Sequence, residues 1–506
     1  MAASAEINRP MITVAIMAAT IMQALDTTIA NVALPHMQGS LSASQDQISW
    51  VLTSYIVAAA IMTPPTGWLA GRFGRKRLFA VVVAGFTVSS MLCGAAQSLD
   101  EMVVFRLLQG VFGAALVPLS QATMLDTTPV EQHGRAMAVW GMGVMVGPIL
   151  GPTLGGWLTE NWNWRWVFYI NLPVGIVSLA GILAAMPETR IDRSRRLDWM
   201  GFAFLSLGIG ALQMMLDRGE TKDWFGSTEI VYEAILAAAG FYLFAAHSLT
   251  TTRPFLHPAL FRDRNLMVGV VIMFLLGFVL IASLALLPTY LQVLMDYPVV
   301  TTGVVLAPRG IGTLFAMVLV GRYSNRVDAR TMMLAGVVFV VHTFWRMAQW
   351  NLDVGIREIV TVGLEQGVGF GLMWPPLTVV SFSTLPPALR TEGAGLFSLM
   401  RNIGASIGVS LVETILSRGI QSGHSHLVQN ITPMAAASGR LGPLANFLNP
   451  KVMALVDAEI NRQAASVAYL NDYRLMLLLS VAIAPAVLLL RPPALPAGGP
   501  ETPVVE

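Results

Sequence analysis

Fourteen stretches of mainly apolar residues recur along these 506 residues, each long enough for a helix that crosses a bilayer. About 20 residues suffice, because an α-helix rises about 1.5 Å per residue through roughly 30 Å of hydrocarbon. The stretches run approximately over 11–33, 49–70, 78–96, 102–121, 136–158, 167–186, 199–216, 229–249, 266–291, 302–320, 331–349, 357–380, 393–415 and 473–490. Composition agrees: 55% of residues are hydrophobic and only 12% charged, about half the charged share of a soluble domain. Lipid must therefore be the main solvent. The first stretch is too long for a signal-peptide core and lacks a strong basic segment before it, so it reads as a retained helix. A net charge of +2 does not suggest nucleic acid, and the lone Cys93 can form no internal disulfide.

Lysine and arginine in the connections test this count independently, because cytoplasmic loops hold the excess. With the N-terminus inside, the cytoplasmic segments collect eighteen, including Arg72, Arg75, Lys76 and Arg77, then Arg190, Arg193, Arg195 and Arg196. The short external loops hold four: Arg165, Arg218, Lys222 and Arg357. Both termini are therefore expected in the cytoplasm. Residues 416–472 form one long polar external connection, with a surface helix over 451–470 and a cap or a partner's docking surface as its two readings.

An internal repeat divides the chain. Leu34-Pro35 returns as Leu287-Pro288, Gly67 and Arg72 as Gly321 and Arg326, Gln109-Gly110-Val111 as Gln366-Gly367-Val368, and Gly147 with Gly151 as Gly404 with Gly408. The spacing stays at 253 to 257 residues throughout. The expected architecture is an all-α polytopic membrane protein with two related six-helix bundles, 1–186 and 266–490. Residues 187–265 hold an inserted helix pair and its flanking loops, and 491–506 form a cytoplasmic tail. Two such halves around a midplane cavity suit a rocking transporter.

Ionisable groups inside the spans mark candidate chemistry, since a carboxylate near the bilayer centre costs roughly 2.5–3.5 kcal/mol on insertion scales. Asp26 lies in the outer half of span 1, within LDTTIANVALP (25–35). Arg106 lies in span 4, within FRLLQGVFGA (105–114), and keeps its charge at any relevant pH. Glu365, in span 12, reads as the deepest carboxylate of the second half. GPILGPTLGG (147–156) concentrates Gly147, Gly151, Pro152, Gly155 and Gly156, which permit close approach and bending. GWLAGRFGRKR (67–77) joins spans 2 and 3, and WNWRWVFYINLPVG (162–175) opens span 6 with interface-type tryptophans.

These segments resemble the EmrB/QacA-type fourteen-helix drug:proton antiporters of the major facilitator superfamily. The resemblance implies the major facilitator fold, an inner-membrane location and proton-driven export of lipophilic compounds, with no cofactor beyond the proton gradient. It implies proton coupling through Asp26 and Arg106, with helices 1 and 4 lining one cavity; Glu365 is added from the residues alone. Gly67, Arg72, Gly74 and Arg75 match a loop with a gating role, and most relatives carry an acid where this chain has Gly71. Gly147, Gly151, Pro152, Gly155 and Gly156 match the antiporter motif, expected at the junction of the halves. Trp164, Arg165 and Asn171 are assigned a structural role. Gln23, Asn31, Gln109, Gln292 and Trp374 are candidate substrate contacts, on the general ground that lipophilic sites pair apolar walls with a few polar anchors. An adaptor and an outer-membrane channel are further expected partners. Nothing in the short loops suggests an enzyme, a nucleotide site or a metal centre. Export of one endogenous metabolite is the alternative, and a non-transporting sensor on the same fold a third reading.

Overall fold

The computed structural model describes residues 8–189, 191–192, 196–429 and 450–491. The side chain of Pro152 lies outside the described residues, as do Arg190, Arg193, Arg195, most of the tail and residues 430–449. The main helices are α1 (Arg9–Ser40), α2a (Trp50–Met62), α2b (Thr66–Phe73), α3 (Arg75–Ala95), α4 (Leu99–Thr127), α5 (His133–Asn161), α6 (Trp166–Ala185) and α7 (Trp199–Arg218). They continue as α8 (Thr228–Thr250), α9 (Arg264–Leu294), α10 (Val299–Tyr323), α11 (Ala329–Met347), α12 (Ile356–Ser383), α13 (Arg390–Val428) and α14 (Pro450–Leu489).

Among the described residues, ten helices are long and apolar enough to cross a membrane. The others are weakened in recognisable ways: Pro64 and Pro65 break α2 in two, and glycine, histidine or charge dilutes α5, α11 and α12. Outward faces stay greasy, with Val81, Val88, Ile176 and Leu183 each more than half exposed. Apolar surface on this scale belongs in lipid.

The same neighbours recur in each half. In the first, α1 packs on α5 and α6, α2a on α4, and α3 on α4 and α6; in the second, α9 packs on α13 and α14, α10 on α12, and α11 on α12 and α14. The α7–α8 pair rests on α2a and α13 through α7. The halves meet where α5 touches α10 and α12, and where α13 touches α2b and α4.

Two sequence expectations change. The glycines of 147–156 face α1 within the first half: a Cβ on Gly147 would stand 2.2 Å from the Ala24 carbonyl oxygen, and one on Gly151 2.1 Å from Thr28 Oγ1. The four-residue spacing puts Gly147, Gly151 and Gly155 on one stripe, while a different face of α5, at Gly134 and Gly141, meets Ser324, the C-cap of α10, and Met317 within it. Gly404 repeats the arrangement against the Phe274 carbonyl of α9. The second change concerns 416–472. Residues 416–428 continue α13 and 450–472 begin α14, so the described parts of this connection form a helical hairpin. Gly419 and Gly423 let it close on Ala468 and Ala464. Hydropathy missed this because helix formation outlasts the apolar run. A helix of 39 or 40 residues reaches about 60 Å, roughly twice the hydrocarbon thickness.

Candidate functional site

Asp26 was expected to face a cavity; in this conformation it is wholly enclosed. A buried carboxylate must have its charge met on the spot, since an uncompensated one costs several kcal/mol. Arg106 Nη1 of α4 donates to Asp26 Oδ2 at 2.8 Å. Gln109 Nε2 donates to Oδ1 at 2.7 Å, and Asn171 Nδ2 of α6 to the same oxygen at 3.1 Å. Arg106 and Gln109 share a face of α4 through their i, i+3 spacing, and Arg106 Nη1 also reaches Gln109 Oε1 at 2.8 Å.

The frame around this pair draws on five helices. Arg106 Nε donates to the Val51 carbonyl of α2a at 3.0 Å, and the guanidinium lies 4.4 Å from the Tyr55 ring centre and 5.7 Å from that of Phe168. Asn171 gives its second N–H to Ser90 Oγ of α3 at 2.9 Å, and Ser90 donates to the Phe168 carbonyl at 2.9 Å. Cys93 donates to Gln109 Oε1 at 3.5 Å. Half-buried Gln23 donates to Tyr55 OH at 3.5 Å and carries the network to a partly exposed position. The arrangement stores a compensated charge pair whose geometry depends on Asp26 being ionised. A proton on Asp26 would leave the Arg106 charge buried without its partner.

A second constellation closes one end of the seam between the halves. A Cβ on Gly67 would fall 2.7 Å from Glu392 Cα, so only glycine lets α2b approach α13. Gly74, at φ +89°, makes the turn from α2b to α3. Arg75 Nη1 and Arg390 Nη1 each lie 2.6 Å from Asp126, one on either carboxylate oxygen, and Arg75 Nη2 donates to Thr391 Oγ1 at 3.0 Å. Asp126, at the end of α4, is the acid that these two arginines share. Arg72 is half-buried, and its Nη1 has no hydrogen-bond partner among the described residues.

Glu365 stands apart from the Asp26 pair. It pairs with His342 Nδ1 and with Arg346 Nη1 at 2.9 Å on α11, and Arg346 also grips Glu358 at 2.7 Å. His342 and Trp345 are exposed, which places this network on the flank formed by α11 and α12. The deepest carboxylate of the second half is Asp472, fully buried with neither oxygen hydrogen-bonded among the described residues. It escaped notice because α14 starts 23 residues before the predicted span. Asn31 is exposed, Gln292 half-buried on the last turn of α9, and Trp374 buried with its Nε1 unbonded among the described residues.

Sequence reasoning also missed Tyr55, Asp126 and the role of Asn171. Asn171 had a signal, a polar side chain just inside an apolar span, but its aromatic surroundings suggested an interface anchor.

Residues 16–409 match the Major Facilitator Superfamily. The chain is 36% identical to the fatty acid resistance protein FarB of Neisseria gonorrhoeae, over 96% of this chain and 97% of that one. It is 35% identical to the multidrug export protein EmrB of Escherichia coli K12, over 83% of each. Among solved structures, the proton:xylose symporter XylE superposes with a TM-score of 0.60 at 14% identity, over 93% of this chain and 94% of XylE, a likeness of fold. With its greasy helices, doubled architecture and these relatives, the chain is a multi-pass membrane protein that belongs to the major facilitator superfamily, among its EmrB-type transporters.

Proposed function

We infer that this chain expels lipophilic toxic compounds across the inner membrane in exchange for inward-moving protons. The enclosed Asp26–Arg106 pair is the observation that carries the coupling. The names of the relatives support the export: EmrB is a multidrug export protein and FarB a fatty acid resistance protein. In this reading all fourteen helices cross the membrane with both termini in the cytoplasm, and bundles 1–186 and 266–490 rock about the inserted pair. The end closed by Gly67, Asp126 and Arg390 is the cytoplasmic one, in keeping with its excess of arginine and lysine.

A proton reaching Asp26 from outside cancels the charge that holds Arg106. The arginine's donors then need water or substrate, which favours an arrangement of α1, α4 and α6 with the site open. Proton release to the cytoplasm restores the pair. Gln109 and Asn171 act as positioning residues for it, and Gln23 and Trp374 remain the better placed of the proposed substrate contacts. Glu365 is a second titratable carboxylate with a smaller share in coupling, on the flank of the second half. The glycines Gly147, Gly151 and Gly155 let α5 slide on α1 during rocking. The projecting α13–α14 hairpin offers a surface for a periplasmic adaptor, through which an outer-membrane channel would be reached.

The test is dye efflux in everted vesicles under an imposed pH gradient. Asp26→Asn and Arg106→Ala should abolish gradient-driven transport while the protein still reaches the membrane. Native efflux in both variants would end the coupling assignment.

A further inference from the structure

Arg309 and Arg401, both set in helices of the second half, have no carboxylate partner among the described residues. Arg309 of α10 is only 8% exposed. Its one hydrogen bond from the guanidinium there is long, Nη1 to Ser283 Oγ of α9 at 3.3 Å, and Nη2 has no partner. Arg401 of α13 bonds only the amide oxygen of its own neighbour Asn402, at 3.1 and 3.3 Å. The guanidinium of Arg309 lies 5.6 Å from the Phe370 ring centre, and that of Arg401 5.7 Å from Trp374.

Phe370 and Trp374 stand one turn apart on α12, and the next residue on that stripe, Thr378, accepts a hydrogen bond from Gln121 of α4 at 3.4 Å. That contact brings the Thr378 end of the stripe against the first half, at the seam between the bundles. Trp374 Nε1, buried on this stripe, also lacks an acceptor among the described residues. Guanidinium cannot shed its proton, and an aromatic face offsets only about 0.5–2 kcal/mol of a buried cation's desolvation. Two cations and an unbonded indole N–H, all wanting acceptors beside apolar rings, are complementary to an anionic group on a greasy body.

We propose that Arg309, Arg401 and Trp374 form an anion subsite on the seam, which receives the carboxylate of a long-chain acid while its tail lies along the apolar walls. The proposal rests on the export reading and names a substrate class for it. Arginine's planar fork matches a carboxylate, so the charge itself, beyond the tail, should govern affinity.

Equilibrium binding to the purified full-length protein tests this with an anthroyloxy-labelled stearate and its methyl ester, which differ only in charge. The native protein should bind the acid about tenfold or more tightly than the ester, the scale expected for a charged hydrogen bond. Arg309→Gln and Arg401→Gln should each reduce acid binding towards the level of the ester and leave ester binding unchanged. Arg309→Lys should keep part of the preference, and serves if the glutamine variant fails to fold. Equal native affinity for acid and ester overturns the proposal, as does a preference that survives both glutamine variants or an equal loss of both probes. Binding in detergent needs no pH gradient. Failure here with intact proton-driven efflux of ethidium would sink the subsite alone, and the reverse pattern would sink the coupling alone.

Discussion

The two halves share a scaffold and differ in how they treat a buried positive charge. In the first half, Tyr55 of α2a covers Arg106 of α4, and Asp26 neutralises it. At the spacing of 254 residues that relates Gly67 to Gly321, Tyr55 corresponds to Arg309. The second half therefore exchanges the partners: the arginine now comes from α10 and the ring, Phe370, from α12. Gln109 bridges acid and base, whereas its counterpart Gln366 accepts only a weak bond from Ser283, at 3.4 Å. One half holds a closed, neutral unit. The other holds arginines with no carboxylate partner among the described residues. On the proposed reading, the two repeats divide ion handling and substrate handling between them.

Breaking the first unit should have the largest effect. Asp26→Asn strands a buried arginine, a loss of roughly 3–5 kcal/mol for such pairs. Gradient-driven efflux in vesicles should fall at least about a hundredfold, with a lower melting temperature in detergent; removing Arg106 as well should recover part of the stability and none of the transport. The converse experiment gives the second half what it lacks. Ser283→Asp places a carboxylate beside Arg309, and should weaken binding of the labelled stearate about tenfold, which corresponds to roughly 1.4 kcal/mol, while raising the melting temperature.

A third substitution tests the contact between the halves. Asp126→Asn removes the acid shared by Arg75 and Arg390, partly buried interactions of roughly 1–2 kcal/mol together. The seam at that end should open more often, read as severalfold faster thiol labelling of a cysteine placed at Ser324, which faces Gly134. Unchanged labelling would mean that the Gly67–Glu392 contact closes this end by itself. The smallest effect is expected for Glu365→Gln. Its network lies on a partly exposed flank where ion pairs contribute about 0–1 kcal/mol, so efflux should change by less than about threefold. A loss as large as that of Asp26→Asn would erase the contrast drawn between a central and a peripheral carboxylate.

Much of the fold was legible because its signals are local. Spans show as apolar runs, the repeat shows as recurring glycine, glutamine and proline pairs, and Gly67 and Gly74 stand where close approach and a left-handed turn demand them. Asp26 and Arg106 were legible as candidates because a charge inside a span is rarely idle. Their frame was not: Asn171 looked like part of an aromatic belt, Asp126 like the start of a loop, and Asp472 like a residue outside its helix. Hydropathy reports which residues avoid water, and is silent on which face of a helix each side chain occupies.

The chain's own order of residues determined that it must live in lipid, that it is doubled, and that it carries charges where lipid would reject them. Only tertiary packing decided that the glycines of α5 serve α1, that Asp26 is sealed by donors from two other helices, α4 and α6, and that Arg309 and Arg401 meet one aromatic stripe. The reason is range. Partition into a membrane is a sum over each segment taken singly, whereas the pairing of a buried charge depends on side chains tens to hundreds of residues away that become neighbours only when the helices assemble.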